Sequence, residues 1–202
     1  MIANYAKADQ KDERRPINYD ILSNLLQIHD SISHSYYDHA FYCLYILMYR
    51  MALRISEISN YSTKFRHALT PDDFQLRKDQ DSIKVTLRSY KHSKDPKHYN
   101  ITVSPRFIYH YHRFIEARGQ NNSQFFVHQS GAPFSRNFIA STLSEDLLKI
   151  GKSPKFYNTH SFRIGRASDL AQQGASDNKI AEIGRWNSSA FHKYIRPDIK
   201  DA

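Results

Sequence analysis

His160 and Arg163 stand three residues apart in the stretch His160-Ser161-Phe162-Arg163, so on a helix both side chains project toward one small target. A Gly174-Ala175-Ser176 break follows, then a short helical run, then Gly184-Arg185-Trp186. Tyr194 comes eight residues after Trp186, inside the segment Phe191-His192-Lys193-Tyr194-Ile195-Arg196. A turn-spaced imidazole and guanidinium, a tryptophan and a phenol flanked by basic side chains are what a tyrosine hydroxyl needs to attack a phosphodiester. A tyrosine nucleophile forms a covalent intermediate and splits one hard step into two easier ones. By composition alone Tyr194 is one of 14 tyrosines, so its position relative to Trp186 is what singles it out. A second arginine, Arg54, lies in the apolar run Met51-Ala52-Leu53-Arg54-Ile55-Ser56-Glu57. A guanidinium among Met, Leu and Ile is expensive to bury unless it is paired or committed to an anion. A surface bridge from Arg54 to Glu57, three residues on, is the plainer alternative.

The elements that must position these groups follow from periodicity. Residues 17–28 carry Ile17, Ile21, Leu22, Leu25, Leu26 and Ile28 at near-helical spacing, with Asn18 or Asp20 as cap. Residues 36–51 form a second, strongly apolar helix whose aromatics belong to the core, and Arg54 and Glu57 open another short helix. Residues 71–79 hold a Pro-Asp-Asp turn signal. Residues 82–89 alternate Ile83, Val85 and Leu87 with polar side chains, as a half-buried strand does. Residues 99–103 pair with them, and the loop between carries Lys91, Lys94 and Lys97. A helix over 105–118, a short strand-like piece at 124–127, and a helix capped by Ser135 and reaching Lys149 complete the chain before residue 159. The expectation is a mainly α fold with one small antiparallel β-hairpin (α+β). Residues 1–15 are expected to be a flexible leader or linker remnant, and 16–202 one domain.

The chain has 202 residues, 40% of them hydrophobic, which suffices for one packed core and excludes a disordered chain. No apolar run approaches the roughly 18 residues of a membrane span, and the polar N-terminus has no signal-peptide core, so an intracellular protein is expected. The net charge of +9 with 14 Tyr and 12 Phe points to a polyanionic partner, since neutralising phosphates is the main source of sequence-independent affinity for nucleic acid. Cys43 is the one cysteine, which excludes an internal disulfide and any Cys/His zinc spacing. The 11 histidines show no metal-binding motif, and His110 and His112 fall on different helix faces, so no metal and no cofactor are expected.

With these motifs in order, the sequence resembles the tyrosine recombinase (phage integrase) family, in the form carried by Crypton- and DIRS-type mobile elements of eukaryotes. The resemblance covers residues 16–198 and the catalytic domain of that family. Ala52-Leu53-Arg54-Ile55-Ser56-Glu57-Ile58 is similar to its first box, the hairpin at 83–103 to its lysine-bearing hairpin, and His160-Ser161-Phe162-Arg163 to its His-x-x-Arg box. Gly184-Arg185-Trp186 followed by Tyr194-Ile195-Arg196 is similar to its last box, with tryptophan where many relatives have histidine. The resemblance implies site-specific cleavage and rejoining of double-stranded DNA through a 3′-phosphotyrosine, without ATP, for integration or transposition. It implies Tyr194 as nucleophile and Arg54 and Arg163 on the non-bridging oxygens, where the guanidinium fork fits phosphate. His160 hydrogen-bonds the phosphate or moves the tyrosine proton, Trp186 donates its indole N–H, and Glu57 supports the arginine and lysine from behind. Lys91, or Lys94 in its place, protonates the leaving 5′ oxygen. Lys94, Arg166, Arg185, His192 and Arg196 are candidates for the DNA backbone, with pairing to acidic residues as the alternative for Arg185 and Arg196. A dimer to tetramer on DNA, a nuclear location in a eukaryotic host, an absent N-terminal core-binding domain and a truncated C-terminal docking element complete the expectations. A non-cleaving DNA-binding descendant and a topoisomerase-like relaxing enzyme are the alternatives.

Overall fold

The computed structural model describes residues 12–30, 34–59, 68–79, 81–88, 90, 95–119, 124–186 and 189–196. The fold is built around α2 (Tyr36–Arg50), whose side chains are buried almost all the way round, including Phe41, Leu44, Tyr45, Leu47 and Met48. A 15-residue aromatic-rich helix is marginal in isolation, so packing holds it; each fully buried large apolar side chain contributes about 2 kcal/mol. Its buried tyrosines also find polar partners. Tyr45 Oη donates to Asp146 (2.8 Å), Tyr36 Oη to the Val127 carbonyl (2.7 Å), and Tyr49 Oη to Asp169.

Around it pack α1 (Tyr19–His29), α3 (Pro105–Arg118) and α5 (Ser161–Gln172), while α4 (Arg136–Lys149) lies against α1. Two polar residues expected at helix starts, Asn18 and Ser135, do cap them, and three further serines act in the same way. Asn18, Ser35, Ser104 and Ser135 each accept a backbone N–H of the first turn, and Ser176 does the same for α6 (Asp177–Gly184). Gly165 lets α5 touch the entering chain, because a Cβ there would stand 1.7 Å from the Ile17 carbonyl oxygen.

The sheet has one strand more than the expected hairpin. β1 (Phe74–Leu76) pairs antiparallel with β2 (Ser82–Leu87), which pairs with β3 (Lys97–Thr102). Three residues are too few to display the period-two alternation by which strands are recognised. Residues 124–127, expected to be strand-like, make a single bridge, Val127 to Pro133. Their apolar run instead buries Phe125, Phe126 and Val127 together in the core. Residues 12–15, expected to be part of a flexible leader, lie against the domain: the Arg15 N–H donates to the Phe156 carbonyl (2.8 Å) and Arg196 holds Asp12. No helix among the described residues is long and apolar enough to cross a membrane.

Candidate active site

The site is assembled where α2 ends. Ala52 adopts a left-handed backbone conformation (φ 45°), which turns the chain so that the Met51 and Ala52 carbonyls face two arginines from distant segments. Arg163, in the first turn of α5, donates Nη1 to the Ala52 carbonyl and Nη2 to that of Gly184 (3.0 Å). Arg185, directly after α6, donates to the Met51 carbonyl (2.9 Å), the Ala52 carbonyl (3.2 Å) and Tyr99 Oη. Glu57, at the end of a 3₁₀ turn (Ile55–Glu57), holds Arg185 Nη2 at 2.7 Å with Oε2 and Arg54 Nη1 at 3.1 Å with Oε1. The two expected phosphate-binding arginines therefore belong to one linked group. Glu57 joins Arg54 to Arg185, and the Ala52 carbonyl joins Arg185 to Arg163. Arg54 and Arg185 share the buried Glu57 carboxylate and Arg163 adjoins them through the Ala52 carbonyl, leaving a formal surplus of two positive charges.

The aromatic side chains close over this group. The Arg163 guanidinium carbon lies 4.7 Å from the Trp186 ring centroid and 5.9 Å from that of Tyr194. The Tyr194 ring sits 4.9 Å from Trp186 and 5.1 Å from His160. Tyr194 is carried on a 3₁₀ segment (Ser189–Tyr194) anchored by buried Phe191 and by Ser168, whose hydroxyl donates to the Tyr194 carbonyl (3.1 Å). Arg163 is 1% exposed in this state, whereas the Arg54 side chain remains 22% exposed. Among the described residues, three buried donors of the site, Arg163 Nε, Arg185 Nε and Trp186 Nε1, have no hydrogen-bond partner.

Electrostatics follow from this crowding. Burial, reinforced by Arg163, holds the His160 imidazole down at about 4, so it is neutral near pH 7. Burial, together with Arg54 and Arg185, lowers Arg163 to about 9. Both groups are poised to gain from an arriving negative charge.

The residues expected on the DNA backbone separate into different environments. Arg185 is 6% exposed and both its Nη atoms are bonded inside the protein, so it takes the acidic-pair alternative, with Glu57. Arg196 likewise pairs with Asp12 (2.6 Å). Arg166 lies over the Tyr49 ring (5.4 Å) and lines a cleft of about 420 Å³ with Arg50, Lys97 and Lys179. His192 is exposed, 3.5 Å from Asp177. Lys91 and Lys94 lie outside the described residues. Sequence reasoning missed the part played by Ala52 and the internal place of Arg185. A positive-φ alanine leaves no signal in composition, and a lone arginine looks the same in sequence whether it faces water or a carboxylate.

A helical domain with a three-stranded antiparallel sheet, bringing these residues together, has the fold of tyrosine recombinase catalytic domains. The chain belongs to the phage integrase family, whose model matches residues 17–199. Among solved structures it is similar to XerH site-specific recombinase bound to palindromic difH substrate, in a post-cleavage complex. That match has a TM-score of 0.73 and 14% identity over 96% of this chain and 52% of that one. It is also similar to XerA recombinase (TM-score 0.65, 16% identity, 99% of this chain and 63% of that one). The Tn1549 transposon integrase in complex with transposon right end DNA is a third (TM-score 0.62, 16% identity, 94% and 63%). At these identities the likeness is one of fold, and the chain spans between half and two thirds of those proteins' length. No curated protein matches the sequence.

Proposed function

We propose that this chain is the strand-cleaving and rejoining domain of a site-specific DNA recombinase serving a mobile element of the Crypton/DIRS type. The observation that carries this is the linked group of three guanidiniums, two of them on one buried carboxylate, with a phenol against the third. An unbalanced positive hollow of this kind is costly unless an anion visits it. The unpartnered Arg163 Nε and Trp186 Nε1 are the donors that a phosphate oxygen satisfies.

The chemistry is one transesterification. The Tyr194 oxygen bonds to phosphorus, the bond to the 5′ oxygen breaks, and the 3′ phosphate stays on the enzyme as a phosphotyrosine. The phenol proton leaves through His160, which is neutral and therefore able to accept it. Lys91, or Lys94 in its place, gives a proton to the departing 5′ oxygen. Arg54 and Arg163 hold the non-bridging oxygens, and preorganised donors of this kind supply about 3 kcal/mol each to the transition state. Attack by the 5′ hydroxyl of another strand reverses the step without ATP. Because Trp186 and Tyr194 cover Arg163, the segment bearing Tyr194 moves outward to admit the phosphate. Double-stranded DNA is the partner, and strand exchange takes place in a dimer to tetramer.

A nicked suicide duplex carrying the target site tests this. The wild type accumulates a covalent protein–DNA adduct and Tyr194→Phe forms none; an adduct persisting in Tyr194→Phe removes Tyr194 as nucleophile. A 5′-phosphorothiolate substrate, whose sulfur leaves without a proton, restores cleavage to Lys91→Ala if Lys91 is the acid, and to Lys94→Ala if Lys94 is. The near-complete burial of Arg163 favours one second reading, a DNA-binding protein of the same fold that does not cut. It is distinguished by tight site-specific binding with no adduct on any substrate. Relaxation of supercoiled plasmid lacking a site identifies instead the topoisomerase-like activity.

A further inference from the structure

We propose that Asp30, His34 and His110 form a binding site for one divalent transition-metal ion of the zinc type, with His39 as the hydrogen-bond partner behind it. The spacing of histidines along the chain gives no hint of this, because the ligands come from the end of α1, the connection after it, and the middle of α3. Their ligand atoms all lie within 4.8 Å of one another. His110 Nε2 is 3.0 Å and His34 Nε2 is 3.6 Å from Asp30 Oδ1. Zinc bonds of 2.0–2.1 Å in a tetrahedron set ligand atoms about 3.3 Å apart, and the two distances to Asp30 bracket that value. Two imidazoles and one carboxylate leave the fourth position to water.

The surroundings fit a ligand set. The Nδ1 atoms of His39 and His110 face each other at 3.0 Å, which demands one proton between them. With a metal on His110 Nε2, that proton sits on His110 Nδ1 and is donated to His39, the arrangement that orients metal-bound histidines. Arg106 occupies the site's cationic position in this state. Its Nε donates to Asp30 Oδ1, and its Nη2 lies 3.5 Å from His34 Nε2. The Arg106 side chain is 46% exposed, so an arriving ion can displace it into water. The ion ties the end of α1 to α3 over the first turns of α2. No candidate catalytic side chain comes from these elements, so this site stands apart from the proposed reaction.

Isothermal titration of the chelator-treated full chain with zinc chloride, and visible absorption with cobalt(II), test the proposal. The expected result is one ion per chain, a cobalt spectrum of a four-coordinate nitrogen–oxygen site, and a melting temperature raised by zinc. His34→Ala, at a part-buried position, weakens binding at least tenfold, and His39→Phe weakens it about 10- to 100-fold. Arg106→Gln removes the competing cation and strengthens binding, the reverse of what loss of a mere hydrogen-bond network does. Absence of stoichiometric binding, or an affinity unchanged in His34→Ala, overturns the proposal.

Discussion

At the scale of single residues, Glu57 is the side chain on which the site's charge balance turns. It is 4% exposed and is bonded to both Arg54 and Arg185. Glu57→Gln leaves three neighbouring guanidiniums without a carboxylate. Breaking a buried pair from one side costs about 3–5 kcal/mol, and urea unfolding should show a loss of that order. His160 gives a prediction in pH. Its native value of about 4 lies below the ordinary 6.5, so as pH falls the unfolded chain takes up this proton first. The stabilisation is complete above about pH 6.5 and is lost on descending toward 4. Unfolding midpoints measured across that window should drop more steeply in the wild type than in His160→Gln. A bound phosphate adds negative charge beside the ring and raises its value. DNA binding between pH 5 and 6 should therefore proceed with proton uptake, which titration calorimetry in two buffers reads directly.

At the scale of elements, the site depends on how two helices end. α2 stops in the left-handed Ala52, and α6 stops in Arg185, whose φ of 57° is also left-handed. Such conformations cost a non-glycine residue about 1 kcal/mol or more and persist where surrounding contacts demand them. At Ala52 the demand comes from Arg163 and Arg185, both bonded to its carbonyl. Ala52→Gly should accordingly keep cleavage and match or exceed wild-type stability. Ala52→Val, buried and β-branched, should lose about 2 kcal/mol and with it the arginine geometry. At the other end, a Cβ on Gly184 would stand 1.7 Å from the Trp186 ring. Gly184→Ala must push the indole off Arg163. Since Trp186 is the sole tryptophan, its emission should shift while the far-ultraviolet spectrum stays that of the folded domain.

At the scale of the whole molecule, the net charge of +9 would make the proposed DNA affinity salt-dependent, with not every arginine contributing. For every phosphate that the protein no longer neutralises, the slope of log affinity against log salt falls by about 1. Lys94→Ala should show that reduction with stability unchanged. Arg185→Gln should do the opposite, because its charge is spent on Glu57 and on the Met51 and Ala52 carbonyls. Filter binding at several salt concentrations, beside thermal unfolding of the same variants, separates the two. The clamp of Arg196 on Asp12 ties the segment entering the domain to the one bearing Tyr194. It is partly exposed, so its weight in stability is small.

Local pattern was enough to place most elements and the candidate residues. The spacing of Ile21, Leu22 and Leu25 marks α1, the alternation of Ile83, Val85 and Leu87 marks β2, and serines before apolar runs mark the helix starts. The order of Arg54, His160, Arg163, Trp186 and Tyr194 along the chain carries the family resemblance. These are properties of neighbours within a few residues, which a sequence displays because helix and strand repeat at fixed periods. Other features arise only where distant segments meet: the link from Arg54 through Glu57 to Arg185, the Ala52 carbonyl shared by two arginines, and the gathering of Asp30, His34 and His110. Whether an arginine is a strut or a hand for phosphate depends on what the fold brings against it. That is set by burial and long-range partners, on which composition and spacing are silent.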